Sequence, residues 1–264
     1  MTRIDKKFQE LRATNRKAFI PFITAGDPDL KTTAELILTL ERAGADIIEV
    51  GVPFSDPIAD GPVIQRATER ALASRTTLRD ILNLGREIRK TSQVPLLIMS
   101  YYNPLLHYGL EKLARDAAQA GFDGILGSDL TVEESGPFVG TMNAAGLNTV
   151  FLVAPTSSAE RIRRIAQTST GFVYAVSRTG VTGERQELST ELRDFLKTLR
   201  CHTPIPIAVG FGISRPEHVQ AVWQEADGAV VGSALVREIE QHASNGNLSE
   251  RIAEFTRWLK GTAS

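Results

Sequence analysis

Two acidic side chains in the first quarter of the chain occupy positions suited to acid–base chemistry. Glu49 lies inside the apolar run 47–52, and Asp60 follows in the proline-rich loop 53–62. An apolar strand makes an ionised carboxylate costly, so burial should raise the pKa of Glu49 into the range of a general acid or base. The alternatives are an ion pair for Glu49 and a turn or helix-cap role for Asp60. Because two carboxylates in different environments can divide acid and base roles, the pair favours catalysis.

A second group of residues has the composition of an anion site. Gly210-Phe211-Gly212 and Gly232-Ser233 each follow an apolar run, and a helix is predicted after the second. Glycines let backbone N–H groups approach a phosphate, and a helix N-terminus adds a favourable dipole. Tight turns that serve only chain geometry are the alternative. The polar, glycine-bearing loop 177–185 is a candidate lid, with a plain surface loop as its alternative.

Other kinds of catalytic site find no support in the sequence. None of the eight lysines follows a predicted strand, so a Schiff-base aldolase would have no nucleophile. The four histidines are scattered and Cys201 is the one cysteine, so neither a metal site nor a disulfide is expected. A Ser-His-Asp arrangement and a Walker-type loop are also missing. Carboxylates beside a phosphate pocket remain as the candidate chemistry.

The elements that must position these residues alternate regularly. Eight short apolar runs have the continuous character of strands buried on both faces of a parallel sheet, and segments with helical spacing separate them. The predicted strands cover residues 18–23, 47–50, 96–99, 124–126, 150–153, 172–176, 205–209 and 229–231. The predicted helices cover residues 30–43, 78–89, 110–120, 132–145, 159–167, 192–199, 216–223, 234–240 and 248–259, and another begins near Pro62.

Eight strand–helix units predict an α/β fold, a single (β/α)8 TIM barrel domain over residues 1–264, with residues 3–13 as an extra N-terminal helix covering the barrel floor. A doubly wound open sheet has the same local alternation of strands and helices and is the structural alternative. In a barrel the active site lies at the C-terminal ends of the strands. Glu49, Asp60 and both glycine turns fall there.

Composition excludes several classes of function. Lys and Arg number 30 against 31 Asp and Glu, for a net charge of −1, so a basic nucleic-acid surface is not expected. No signal-peptide pattern is present, and no apolar run approaches the roughly 20 residues that span a bilayer. A single cysteine is typical of a reducing compartment, so we expect a cytoplasmic protein without membrane contact.

Taken in order along the chain, these motifs resemble those of the tryptophan synthase alpha subunit family. The matching segments are residues 21–28, 45–62, 132–135, 177–183, 210–213 and 232–233. The Pro-Phe-Ser-Asp-Pro block between Glu49 and Asp60 is the most specific of them. The resemblance implies a lyase of tryptophan biosynthesis that cleaves indole-3-glycerol phosphate to indole and glyceraldehyde 3-phosphate. It also implies a β subunit that receives the indole in an α2β2 heterotetramer, with pyridoxal phosphate on that partner and no cofactor or metal on this chain.

The resemblance also implies roles for individual residues. Glu49 matches the acid–base carboxylate, and Asp60 matches the carboxylate near the indole N–H. The substrate-binding residues that it implies are Phe22 and Tyr174 in the pocket, Thr182 in the closing loop, and Gly183, Phe211, Gly212, Gly232 and Ser233 around the phosphate. The docking surface for the β subunit is expected at Pro53, Asp56 and Pro57.

One segment departs from the family pattern, and several functions stay open. Asp129-Leu130-Thr131 lacks the usual proline, and Gly127-Ser128 is more polar than usual, so the loop after the fourth strand is expected to be less stiff. Besides the lyase with its partner, the alternatives are another phosphosugar enzyme such as an isomerase, a stand-alone indole lyase, and a non-catalytic activator of the β subunit. An indole-release assay with and without the β subunit distinguishes them.

Overall fold

Parallel strands close into a barrel in the computed structural model, which describes residues 1–176, 189–210 and 212–262. The strands are β1 (Ala18–Thr24), β2 (Ile48–Gly51), β3 (Leu96–Ser100), β4 (Gly124–Gly127), β5 (Asn148–Val150), β6 (Leu152–Val153), β7 (Val173–Val176), β8 (Ile207–Gly210) and β9 (Gly228–Val231). Their order in the sheet is β5-β4-β3-β2-β1-β9-β8-β7-β6. Only Phe151 separates β5 from β6, so the two ends of this order are halves of one extended segment. The sheet therefore closes on itself, as the predicted TIM barrel requires.

Helices surround the barrel and connect its strands. They are α1 (Arg3–Ala13), α2 (Leu30–Arg42), α3 (Pro62–Ala73), α4 (Leu78–Ile88), α5 (Tyr102–Tyr108), α6 (Leu110–Ala120), α7 (Gly136–Ala144), α8 (Ala159–Thr168), α9 (Thr190–Arg200), α10 (Pro216–Glu225), α11 (Ser233–His242) and α12 (Leu248–Leu259). The prediction was wrong about the start of α7, because residues 132–134 form a turn, Ser135 is the N-cap, and Pro137 lies in the first turn of the helix. Within the described residues no helix has the length and apolar character needed to cross a bilayer.

The barrel interior is filled from below by the N-terminal helix. Ile4, Phe8 and Leu11 of α1 pack with inward-facing strand residues, and the rings of Phe8 and Phe172 lie 5.7 Å apart. The inward-facing partners are Ile20, Ile47, Leu97, Leu126, Val150, Phe172, Ala208 and Val230. Each large apolar side chain buried this way contributes about 1.5–3 kcal/mol. The predicted floor helix is confirmed, and it fills the end of the barrel opposite the C-terminal ends of the strands.

Aspartates at the starts of strands tie the barrel floor together. Asp46, just before β2, accepts a hydrogen bond from the backbone N–H of Phe19 in β1 at 2.9 Å. Asp123, just before β4, accepts one from Leu96 at 3.0 Å, and Asp227 repeats the arrangement one residue before β9. The buried N–H group that begins the neighbouring strand thereby gains a partner, as buried backbone donors require. This recurring contact fixes the strands in position below the cavity.

Candidate active site

A cavity of about 330 Å3 opens at the C-terminal ends of the strands. Its lining residues are Phe22, Glu49, Ala59, Asp60, Gly61, Pro62, Val63, Ile64, Met99, Tyr174, Gly212, Ile213, Val230, Gly232, Ser233 and Arg237. Both predicted catalytic residues and five of the predicted binding residues therefore meet in one place. Thr182, Gly183 and Phe211 lie outside the described residues. A cavity on this face of a TIM barrel is the expected location of an active site.

Glu49 is a buried carboxyl group that has no partner among the described residues. Its side chain is 1% exposed, and in the described part of the chain neither of its oxygens has a hydrogen-bond partner. Burial, assisted by the negative charge of Asp60, raises the pKa of Glu49 to about 8. The alternative of a structural ion pair is not supported, because no arginine or lysine among the described residues contacts this carboxyl. A titratable group with this pKa can both give and take a proton near neutral pH.

Asp60 lies on the inner side of the loop between β2 and α3. Burial raises the pKa of Asp60, and a hydrogen bond with the Tyr101 side chain acts in the opposite direction. The helix-cap alternative is excluded, since Gly61 occupies the N-cap position of α3 and makes no side-chain cap bond. The loop is held in place by Gln65, whose amide nitrogen donates to the Asp60 carbonyl oxygen at 2.9 Å. Asp60 thus faces the cavity as a positioned acceptor.

Tyr101 was not anticipated from the sequence. Its hydroxyl accepts a hydrogen bond from the backbone N–H of Ala59 at 2.8 Å, which leaves the phenol hydrogen free to donate to Asp60. Burial raises the pKa of Tyr101 to about 12, so the phenol stays neutral. Tyr101 directly follows β3, so a search for polar side chains directly after each strand would have included it, although not its role. It acts as a positioning residue for the Asp60 loop.

Two strand-end glycines make room for the aromatic walls of the cavity. A Cβ atom on Gly51 would lie 2.6 Å from the ring of Phe22. A Cβ atom on Gly210 would lie 2.5 Å from the Tyr174 hydroxyl. Real Cβ contacts are not this short, so each glycine is required by the ring beside it. Phe22 and Tyr174 therefore provide the aromatic surface expected of a pocket for a flat apolar group.

Gly212, Gly232 and Ser233 line the cavity at the ends of β8 and β9. Gly212 has a φ of 71°, and the turn that follows it is fixed by His218, whose Nδ1 accepts from the Ser214 N–H at 3.3 Å. Burial lowers the pKa of His218, which keeps the ring neutral. Helix α11 begins at Ser233 without a side-chain cap. The first N–H groups of a helix lack intrahelical partners and can bind an anion, so the phosphate seat at this position stays a prediction.

The loop that carries Asp60 has an outer face as well. Asp56 and Ile58 are exposed, Ile58 to 87%, and Pro57 is partly exposed. Pro53 is buried, so of the three residues expected to dock a partner it is the one whose side chain lies away from the surface. One short loop therefore presents Asp60 to the cavity and an exposed apolar side chain to the outside.

The segment at Thr131, where the resemblance leads to the expectation of a proline, is held by side-chain hydrogen bonds. Asp129 accepts from the backbone N–H of Tyr102 at 2.6 Å, and the Thr131 hydroxyl donates to Glu134 at 3.2 Å. Ser128 adds a backbone bond to Ser100 at 2.8 Å. These contacts restrain the loop without a proline ring. The expected lower stiffness of this loop stays a prediction.

The environment of Glu49 predicts a specific pH dependence of stability. The folded state keeps the Glu49 proton up to about pH 8, whereas an ordinary Glu loses it near 4.5. Since the folded chain binds more protons in this interval, its stability falls as the pH rises through it. Glu49→Gln removes the penalty, so the variant should equal the wild type near pH 4 and exceed it above pH 8 by on the order of 4 kcal/mol. Urea unfolding at pH 4, 7 and 9 measures this, and a gain that did not vary with pH would contradict it.

Within the described residues no group of three His, Cys, Asp or Glu side chains is arranged to hold a metal ion. The carboxyl pair, the aromatic walls and the uncapped helix are the chemical features that the cavity offers. They suit a flat apolar group with a polar N–H, joined through a short chain to an anion.

Comparison with known proteins gives a consistent result. The family model of the tryptophan synthase alpha chain matches residues 8–263. The chain is 55% identical over 260 residues to the tryptophan synthase alpha chain of Solibacter usitatus. The matched region covers 98% of this chain and 97% of the relative. It is 50% identical over 260 residues to that of Geotalea daltonii, with 98% of each chain covered.

Solved structures agree with the sequence comparisons. Tryptophan synthase subunit alpha from Legionella pneumophila superposes with a TM-score of 0.92 at 38% identity, over 100% of this chain and 98% of that one. A chain of the tryptophan synthase complex from Pyrococcus furiosus gives a TM-score of 0.85 at 38% identity, over 92% and 98% of the two chains. With a barrel, a cavity and a carboxyl pair that fit, the chain belongs to the tryptophan synthase alpha chain family.

Proposed function

We propose that this chain catalyses the α reaction of tryptophan synthase, the retro-aldol cleavage of indole-3-glycerol phosphate to indole and glyceraldehyde 3-phosphate. The observation that carries the proposal is the buried Glu49, which has no partner in the described part of the chain and lines the same cavity as Asp60 and an uncapped helix N-terminus. Family membership supports the assignment, because relatives across the full length bear the name of this enzyme.

The bond to be broken joins C3 of the indole ring to the glycerol phosphate chain. Protonation at C3 turns the indole into a leaving group and places positive charge on its nitrogen. Asp60 accepts a hydrogen bond from the indole N–H and stabilises that charge. The carboxyl of Glu49, protonated at neutral pH because its pKa is about 8, delivers the C3 proton.

The second half of the reaction uses the same group as a base. The Glu49 carboxylate takes the proton from the hydroxyl next to the breaking bond, and the electron pair of the C–C bond returns to the indole ring. The chain hydroxyl becomes the aldehyde of glyceraldehyde 3-phosphate. One proton is delivered and one is removed, so Glu49 is regenerated in its starting state.

The phosphate supplies binding energy remote from the reacting carbon. Gly212, Gly232 and Ser233 line the part of the cavity formed by the ends of β8 and β9. Contacts there hold the substrate so that its chain carbon lies against Glu49 and its ring against Phe22 and Tyr174. Binding and chemistry are thereby assigned to different strands of the barrel.

A partner and a location complete the proposal. Pyrococcus furiosus tryptophan synthase forms an α2β2 complex with mutual activation. We infer that this chain docks a β subunit through Asp56, Pro57 and the exposed Ile58, and that pyridoxal phosphate is needed only on that partner. The exposed Cys201 remains a free thiol, which suits a reducing cytoplasm.

An indole-release assay tests the proposed function. Purified chain is incubated with indole-3-glycerol phosphate, alone and with a tryptophan synthase β subunit, and indole is measured directly. Slow release alone and faster release with the β subunit are expected. Equal rates in both would indicate a stand-alone lyase, and activation of the β subunit without any cleavage would indicate a regulatory role. An isomerised product without indole would identify a different phosphosugar enzyme.

Gly212→Glu is expected to weaken substrate binding more than it slows the chemistry. The φ of 71° at Gly212 disfavours any side chain, and a carboxylate there would repel the phosphate. KM should rise by about tenfold or more while kcat changes less. Gly212→Ala carries the same backbone strain without the charge and serves as the control. A loss of kcat at unchanged KM would contradict the position of the phosphate seat.

A further inference from the structure

The cavity contains one charged residue to which the proposed mechanism gives no role. Arg237 lines it together with Ser233 and is the single positively charged side chain among its described lining residues. Glu49 and Asp60 are the two acids. A substrate with a phosphate at one end and a developing positive charge at the other would match this distribution of charge.

The position of Arg237 on α11 directs it toward the phosphate seat. It lies four residues after Ser233, one turn along the same face of the helix. Long side chains in a helix lean toward its N-terminus and cover the turn that precedes their own Cα atom. A guanidinium at position 237 is therefore directed toward the uncapped first turn of α11, whose first backbone N–H groups lack intrahelical partners.

Neighbouring ion pairs leave Arg237 available. Glu240, one turn further along α11, binds Arg66 at 2.7 Å and Arg70 at 2.8 Å. Those hydrogen bonds lower the pKa of Glu240 to about 2, so its carboxylate stays ionised and paired with these two arginines. Arg70 also forms an ion pair with the buried Asp27 at 2.7 Å. In the part of the chain that the structure describes, no acidic side chain forms an ion pair with Arg237.

We propose that Arg237 is a specificity-determining residue that binds the phosphate of the substrate, an inference that rests on the proposed function. Backbone N–H groups and a helix dipole accept an anion of any kind. A guanidinium adds full charge and two parallel donors, which match two oxygens of a phosphate dianion. The residue thereby selects a phosphorylated chain over its unphosphorylated counterpart.

The experiment compares Arg237→Gln, Arg237→Lys and the control Arg257→Gln. Arg257 lies in the last turn of α12 and does not line the cavity, so its substitution changes the net charge equally. For Arg237→Gln, KM for indole-3-glycerol phosphate should rise about tenfold with little change in kcat. The inhibition constant of inorganic phosphate should rise by a similar factor, whereas binding of indole should be unchanged. Arg237→Lys should fall between Arg237→Gln and the wild type, and Arg257→Gln should match the wild type.

Several outcomes would overturn the role of Arg237. These are phosphate inhibition that Arg237→Gln leaves unchanged, indole binding that weakens as much as phosphate binding, and an equal effect of Arg257→Gln. The phosphate measurement also separates this inference from the proposed function. A wild-type chain that binds phosphate through Arg237 but releases no indole would refute the lyase and keep the anion site.

Discussion

Glu49→Gln is expected to lower the rate of indole release by about a thousandfold or more. Gln keeps the shape of Glu but can neither give nor take a proton, and one group performs both transfers in the proposed reaction. General acid–base catalysis contributes about 10²–10⁴-fold in rate per group. A residue that performs two proton transfers should therefore have an effect in the upper part of this range. The measurement is single-turnover release of indole from indole-3-glycerol phosphate by the variant.

Binding should survive this substitution. The amide avoids the cost of burying a charge, so the folded state is not weakened, and the phosphate seat is untouched. Indole-3-propanol phosphate, which lacks the reacting hydroxyl, should bind within a few-fold of the wild type. Glu87→Gln changes an exposed residue of α4 that pairs with Lys90 just beyond the helix, and it is the control for the chemical change itself. Turnover near the wild-type rate in Glu49→Gln would remove the residue from its role.

The regular alternation of strands and helices was predictable because it depends on local pattern. Most strands are short apolar runs that are largely buried, so their sequence alone identifies them. The polar start of β5, Asn148 and Thr149, lay outside the predicted run. Barrel closure was not visible in the same way. It depends on β5 pairing with β4 and β6 pairing with β7 across the single residue Phe151, and such long-range pairings leave no periodic signal.

Helix α5 was missed for a related reason. It spans seven residues, Tyr102–Tyr108, and carries Pro104 in its first turn. Two turns are too few for helical periodicity to stand out, and a proline ordinarily suggests a loop. The helix exists because the barrel gives Leu105 a buried position, a tertiary effect that local sequence does not carry.

The residues of the candidate site also differ in whether the local sequence could identify them. Glu49 stood out because an acid inside an apolar strand violates the local rule, and such violations mark functional positions. Tyr101 obeys the local rules, and its role depends on Ala59 and Asp60, about forty positions earlier in the chain. Arg237 reads as an ordinary helix-surface residue until α11 is placed beside the cavity. The sequence therefore reveals residues whose burial carries a cost in free energy, such as Glu49. The structure reveals residues whose role depends on a neighbour that is distant along the chain.

Asp60→Asn is expected to reduce kcat by about 10²–10³-fold with a smaller change in KM. Asn can still accept a hydrogen bond from the indole N–H, and Tyr101 can still donate to its oxygen, so the substrate keeps its position. The missing element is the negative charge that stabilises the cationic ring. Removal of one preorganised electrostatic contact of this kind typically costs about 10²–10³-fold in kcat.

Two further variants separate charge from position. Tyr101→Phe removes the phenol that accepts from Ala59 and bonds to Asp60, so it should raise KM and lower kcat moderately, by roughly tenfold, without abolishing turnover. Asp194→Asn, an exposed substitution on α9 beside Lys197, should match the wild type. If Asp60→Asn raised KM and left kcat unchanged, Asp60 would serve binding alone. Stabilisation of the cationic indole would then fall to the aromatic faces of Phe22 and Tyr174, which line the same cavity.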